Sequence, residues 1–232
     1  MAGETIKTEA VCLGISPWSQ TSHIVTWLTP AGRVTTSVKG AERPKSQFLG
    51  QYDLNYTCEI LYYARGKGDV HALREACPLN LRERLRGDYR ALALAGYFRR
   101  LVGELAPSGA ECAAWYRLLT DALDGVSKDC LRDMLVFELE VLKLAGLKPD
   151  FSGYDRAAEW SAFCIEEGAF ASGGVGRQIR VSRETAEFLN NPRRPAKNAK
   201  IPLDAARVIG VFYQFHVDCV SEVRRSVLKL IS

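Results

Sequence analysis

Three cations, Lys39, Arg43 and Lys45, fall within seven residues of one another in the stretch Val38-Lys39-Gly40-Ala41-Glu42-Arg43-Pro44-Lys45-Ser46-Gln47-Phe48. A single carboxylate, Glu42, offsets them. Lys and Arg at this density suit phosphate groups, which lysine meets as a point charge and arginine as a forked donor. Gly40 permits φ > 0, and Pro44 disfavours helical geometry at Arg43. An exposed, bent, basic loop is expected. A merely solvated hairpin tip would have the same composition; the strands around it favour a binding role. A second tight basic turn, Arg65-Gly66-Lys67-Gly68-Asp69, adds Arg65 and Lys67, and the strand leading into the first loop adds Arg33.

Other chemistries lack their residues. No phosphate-cradling Gly-x-x-x-x-Gly-Lys-Ser/Thr run and no dinucleotide fingerprint occurs. Gly173-Gly174-Val175-Gly176 is a glycine cluster with no suitable helix after it. His23, His71 and His216 fall in different elements without ligand spacing, and no Ser–His–Asp or Cys–His pattern stands out. Neither a metal, a cofactor nor catalysis is expected, so binding is favoured over an enzyme. Seven cysteines, none in a Cys-x-x-Cys pair, sit within apolar patterns, as small buried thiols of a reducing compartment do. The first residues lack the apolar core of a signal peptide, and no run of about 18 apolar residues exists to span a membrane. A cytoplasmic protein is expected.

The elements that must position the loops read as follows. Residues 8–15 form a strand with Val11, Leu13 and Ile15 on one face, broken by Ser16-Pro17-Trp18-Ser19-Gln20. Strands 23–29, 33–38, 54–63 and 70–77 follow, and Pro78 closes the region. Five short strands joined by Gly/Pro turns suggest a small closed barrel. The five-stranded oligonucleotide-binding barrel is the commonest that holds single strands, although alternation alone does not separate it from an SH3-like barrel. Its aromatic supply is Trp18, Trp27, Tyr52, Tyr56, Tyr62 and Tyr63, about half of it core by the usual share of buried aromatics. Tyr62 and Tyr63 point to opposite faces, so at most one can stack on a base.

From residue 79 the apolar period becomes helical. One helix is expected through Leu81–Leu105. A second is capped by the box Ser108-Gly109-Ala110-Glu111, and a third spans about 128–145, ended by Gly146. Residues 150–181 read as irregular loops with one hairpin. Ser182 caps a short helix, and a long last helix is expected over about 202–229. In it Val208, Phe212, Phe215 and Cys219 form the apolar stripe, and Arg224, Arg225 and Lys229 complement the helix dipole. The expected fold class is α+β and multidomain: a five-stranded OB-fold barrel (1–79), a helical domain (80–149), a small irregular module (150–200) and a C-terminal helix packing on the helical domain (201–232). Net charge is only +4, but the last 40 residues carry eight Lys/Arg against three Asp/Glu. Arg193, Arg194, Arg224 and Arg225 are therefore the alternative set of phosphate contacts.

The chain resembles the RecO family of bacterial recombination mediators over nearly its whole length. The likeness rests on Thr8-Glu9-Ala10-Val11-Cys12-Leu13, on Val38-Lys39-Gly40-Ala41 with Arg43-Pro44-Lys45-Ser46, and on Arg65-Gly66-Lys67-Gly68-Asp69-Val70. It continues in Phe137-Glu138-Leu139-Glu140-Val141-Leu142 and Leu144-Ala145-Gly146-Leu147-Lys148-Pro149-Asp150. The resemblance implies binding of single- and double-stranded DNA, annealing of complementary strands, and loading of the recombinase RecA onto strands coated by single-strand-binding protein (SSB). It implies RecR and the acidic, hydrophobic SSB tail as partners, and a nucleoid-associated, cytoplasmic location. Lys39, Arg43, Lys45, Arg65 and Lys67 carry over as phosphate contacts, with Arg33 beside them. Leu101, Arg132 and Lys143 are candidate partner contacts from helix placement. Many members carry a four-cysteine zinc module after the helical domain; here that region has only Cys164, so no structural zinc is expected. The competing class is a protein-interaction scaffold whose barrel meets only partner proteins.

Overall fold

The computed structural model describes residues 4–64, 69–107, 112–170 and 176–232. Strands β1 (Thr5–Ser19), β2 (Ser22–Thr29), β3 (Gly32–Val38), β4 (Thr57–Tyr63) and β5 (Val70–Asn80) close into a barrel in the order β1-β2-β3-β5-β4. Every pairing is antiparallel except β3 with β5, which is parallel. That closure gives the oligonucleotide-binding type of barrel. Its core is the inward period-two set, with Ala10, Cys12, Val25, Trp27, Cys58 and Ile60 fully buried. The Trp27 indole N–H donates to Thr36 Oγ1 at 2.9 Å, so the largest core side chain leaves no orphaned donor.

β1 departs from expectation in two ways. Leu13 is an extra residue where the pairing shifts between Cys12 and Gly14, and this bulge flips the parity of the strand. Ala10, Cys12 and Ile15 therefore face the barrel core, not Val11, Leu13 and Ile15. The strand also runs on through Pro17 to Ser19. Its pairing with β4 ends at Val11, so beyond that point β1 pairs with β2 alone and its other edge is open, where a missing N–H costs nothing. β4 starts later than expected because Asn55 adopts φ 67°, and Leu54 is exposed. β5 passes through Pro78, which sits at a pairing irregularity opposite Thr57 and Cys58.

The helix expected from residue 81 is two: α1 (Glu83–Arg86) and α2 (Tyr89–Leu105), interrupted at Gly87. α3 (Cys112–Gly125) follows. The capping box at 108–111 lies outside the described residues. By contacts the chain divides into two compact units, residues 1–89 with 98–124, and residues 90–97 with 125–232. In the first, helices cover the outer barrel face that carries Val11 and Leu13. Arg99 donates to the Leu13 carbonyl, and the Tyr116 hydroxyl to Glu9 Oε2 at 3.1 Å. Arg82 is buried at φ 50° and ties Asn55 to α3, with Nη1 2.6 Å from the Asn55 carbonyl and Nε 2.8 Å from Asp124.

The second unit contains α4 (Cys130–Leu144), β6 (Trp160–Cys164), β7 (Ala169–Phe170), β8 (Gln178–Ser182), α5 (Arg183–Asn190), α6 (Lys200–His216) and α7 (Ser221–Ile231). Asp129 caps α4 by accepting from the Arg132 N–H. Gly146, at φ 73°, ends it, with the Leu147 N–H 2.8 Å from the Leu142 carbonyl. Ser182 caps α5 as expected, accepting from the Thr185 N–H. Residues 150–181 hold a three-stranded sheet, β7-β6-β8, in place of one hairpin. Rings of Phe151, Phe163 and Phe170 pack together on it.

The expected last helix is also two. Val217 leaves helical geometry at φ −141°, and a 3-10 turn at Asp218–Val220 redirects the chain into α7. That reversal puts Arg224 inside the unit, paired with Glu138, and not at a solvated helix end. Among the described residues no helix is long and apolar enough to cross a membrane.

Candidate nucleic-acid interface

The basic loop follows β3 and is stitched to the tip of the β1–β2 ribbon. The Glu42 N–H donates to the Thr21 carbonyl at 3.2 Å, and the Gly40 N–H to Ser22 Oγ at 3.2 Å. Gly40 takes φ 67°, the left-handed geometry its lack of Cβ allows. Ala41 and Phe48 are buried in the barrel core and pin the loop at two points. A chain of polar side chains adds a third. The Tyr52 hydroxyl, whose pKa burial raises, lies 2.7 Å from His23 Nδ1. His23 Nε2 is hydrogen-bonded to Glu42 Oε1 at 2.9 Å. Glu42 thus holds the loop as well as offsetting its charge.

The stitched ribbon and loop enclose an open cleft of about 680 Å³, lined among others by Trp18, Ile24, Ser37, Lys39, Gly40 and Arg43. Trp18 is 70% exposed. It is the extra residue of a second bulge, between Pro17 and Ser19, and bulges re-aim a side chain away from the regular pleat. An aromatic face, two cations and an apolar floor are what single-stranded nucleic acid asks of a groove. Trp18 belongs to the aromatic supply read from the sequence; its place on a bulged strand beside Lys39 and Arg43 is not legible there, because Ser16-Pro17-Trp18-Ser19-Gln20 reads as a strand break.

The other predicted residues are placed differently. Lys45 is exposed beyond Pro44 and does not line the cleft. Arg33 stands at the opposite end of β3, six residues or roughly 20 Å along the strand from Lys39. It donates to the Gly103 carbonyl at 2.6 Å. Arg65 and Lys67 lie outside the described residues. Tyr62 is buried, with its ring stacked on His71, so it offers no platform. Tyr63 is half-buried beneath the Arg74 guanidinium.

The three candidate partner contacts also separate. Leu101 is fully buried and belongs to a core, which removes it as a contact residue. Arg132 and Lys143 lie on one stripe of α4 with Val136 and Leu139 between them, at spacings of 4, 3 and 4 residues. Val136, Leu139 and Lys143 line a groove of about 340 Å³ with Lys148 and Arg193 at its rim. Arg132 is engaged with Asp129 at 2.9 Å, and Lys143 approaches Glu140 at 3.7 Å. Of the alternative cations, Arg224 is buried and unavailable to DNA.

A closed barrel of this topology, with an aromatic ribbon and a basic loop sewn over one cleft, is an OB-fold protein carrying helical and small-sheet additions. Residues 1–82 match the family described as Recombination protein O N terminal, and residues 86–154 the one described as Recombination protein O C terminal. The chain belongs to the RecO family. It is 29% identical to DNA repair protein RecO of Roseiflexus sp. (strain RS-1) over 160 residues, which is 68% of this chain and 55% of that protein. To the RecO of Desulforudis audaxviator it is 25% identical over 220 residues, 94% of this chain and 83% of that one. To that of Rhodopirellula baltica it is 32% identical over 155 residues, 60% and 53%. The chain thus spans little more than half the length of several curated relatives.

The zinc carried by many family members does not fit these residues. Among the described residues no group of three His, Cys, Asp or Glu could hold a metal ion. Cys164, the cysteine of the small sheet, is buried and directs its thiol at Glu166 Oε2, 3.4 Å away. The same oxygen accepts from the Arg177 N–H at 2.8 Å. Backbone N–H donors, its own first and then that of Arg177, hold the Glu166 carboxyl below its ordinary pKa. Cys164, Glu166 and the Arg177 backbone thus form a cysteine–carboxylate–backbone latch.

Proposed function

We propose that this chain is a non-enzymatic DNA-binding recombination mediator in DNA repair. It binds single- and double-stranded DNA, anneals complementary strands, and helps load a recombinase onto SSB-coated single strands, with RecR as a partner. The observation that carries this reading is the exposed Trp18 over a cleft that also holds Lys39 and Arg43. In it a base stacks on the indole while the two cations meet flanking phosphates. Lys45, Arg65 and Lys67 extend the phosphate track in this proposal, and Arg33 is left to a structural role. The test is a salt titration of labelled single-stranded DNA. Lys39→Ala/Arg43→Ala should flatten the slope of log K against log salt by about 1.4, because each cation releases about 0.7 counterion on single strands. Trp18→Ala should cost about 1–3 kcal/mol of binding at any salt. Unchanged slopes and affinity in folded variants would favour the protein-only scaffold instead.

The groove on α4 supports the SSB tail as a partner. An acidic, hydrophobic peptide end needs apolar walls and a cation at the mouth, which Val136, Leu139, Lys143, Lys148 and Arg193 supply. Lys143→Glu/Lys148→Glu should abolish tail-peptide binding and leave the DNA salt slope intact. Retention of peptide binding would move the tail elsewhere.

A further inference from the structure

We propose that the open edge of β8 binds an extended, acidic and apolar peptide segment by strand addition. This site is separate from both the DNA cleft and the α4 groove.

β8 is an edge strand of the β7-β6-β8 sheet among the described residues. The Ile165 N–H bonds to the Arg177 carbonyl and the Arg183 N–H to the Glu159 carbonyl, at 3.0 Å each. In an antiparallel pair hydrogen-bonded positions recur every second residue. Ile179 and Val181 therefore spend their backbone groups on β6, and those of Gln178 and Arg180 point outward along the free edge. A cavity of about 380 Å³ runs beside that edge, with α6 opposite. It is lined from β8 by Ile179, Arg180 and Val181, residues of both faces of the strand, as a cavity along an edge must be. Val208 and Val211 line it from α6.

The charges at this groove select the occupant. Arg180, Lys200 and Arg207 surround it, against one carboxylate, Asp204, which Arg207 already engages at 3.0 Å. Arg180 lies over the exposed Trp160 ring at 5.4 Å. A second copy of the chain pairing antiparallel about Arg180 would set Arg180 against Arg180, a like-charge contact of the kind that blunts edge strands. Nucleic acid has no peptide N–H and C=O groups to continue a sheet, and Val208 and Val211 offer it nothing. An alternating acidic/β-branched peptide satisfies every feature. Its backbone completes the ladder, one side-chain row fills the apolar groove, and the other meets the cations.

The test uses the full chain and a fluorescein-labelled heptapeptide, acetyl-Glu-Val-Asp-Ile-Glu-Val-Asp-amide, read by anisotropy. Saturable binding is expected, and the counterpart with Lys in place of every acid should not bind. Arg180→Glu/Lys200→Glu, both at exposed positions, should weaken binding about tenfold or more, since like charges then face each other. Methylating alternate peptide nitrogens in one of the two possible registers should do the same, because main-chain hydrogen bonds supply the affinity in strand addition. All of these measurements are made in the Lys143→Glu/Lys148→Glu background, both at exposed positions, so that the α4 groove does not contribute. No saturable binding in that background, or equal binding of both methylated peptides, would overturn the proposal.

Discussion

Glu138 is completely buried, and both of its carboxyl oxygens are hydrogen-bonded. Arg224 Nε lies 2.7 Å from Oε1 and Nη2 3.0 Å from Oε2, and the Tyr97 hydroxyl donates to Oε1 at 2.6 Å. Arg224 Nη2 also donates to the Ala206 carbonyl at 3.0 Å, and the Tyr213 hydroxyl donates to the Glu138 carbonyl. Burial by itself lowers the Arg224 pKa, but the charge and hydrogen bonds of Glu138 outweigh it and raise it. A glycine is required nearby: a Cβ on Gly210 would sit 2.5 Å from Arg224 Nη1. Removing one partner strands the other. Arg224→Ala should cost about 3–5 kcal/mol of unfolding free energy, whereas Glu138→Leu/Arg224→Met should recover most of it, because two apolar groups leave no buried charge. Urea denaturation with a constant m-value measures both. A single-mutant loss under about 1 kcal/mol would show that water reaches the pair.

At the scale of elements, the basic loop matters through its anchoring. Lys39 and Arg43 face one cleft because the loop is tied to Thr21, Ser22 and His23. Gly40→Ala tests this directly. The added Cβ would lie 3.1 Å from Arg43 Cδ at a φ of 67°, so the Arg43 side chain must move and the backbone is strained. About 1 kcal/mol of stability should be lost, together with a drop in single-stranded DNA affinity approaching that of Arg43→Ala. Full DNA affinity in a destabilised Gly40→Ala protein would mean that Arg43 does not need its present position. The loop's basic character was legible in the residues. Its coupling to Trp18 was not, since that depends on a bulge and a histidine contact across 19 residues of sequence.

For the whole molecule, the expectation concerns metal. The small sheet is held by stacked Phe151 and Phe163 and by the Cys164–Glu166–Arg177 latch, and none of these needs an ion. Elemental analysis of tag-free protein should find no stoichiometric zinc, and a chelator should leave the melting temperature unchanged. A melting temperature that falls on chelation and returns with zinc would contradict the latch, because binding to the native state alone is what produces such a shift.

The sequence by itself determined the five strands of the barrel and the helices of residues 112–144 through their period, and the Ser182 cap and the Gly146 stop through their residue types. These are local: alternation, a capping hydroxyl and a left-handed glycine act within a few residues. Family membership was legible too, since its motifs are contiguous. Only the tertiary structure decided the parity of β1, the break of the last helix at Val217, and the burial of Arg224 and Leu101. Each depends on what lies across space from the residue. A bulge costs one ladder position that only the partner strand reveals, and Arg224 is buried only because a carboxylate more than eighty residues away is brought to it. The cleft was decided in the same way, by two turns distant in sequence that hydrogen bonds sew together.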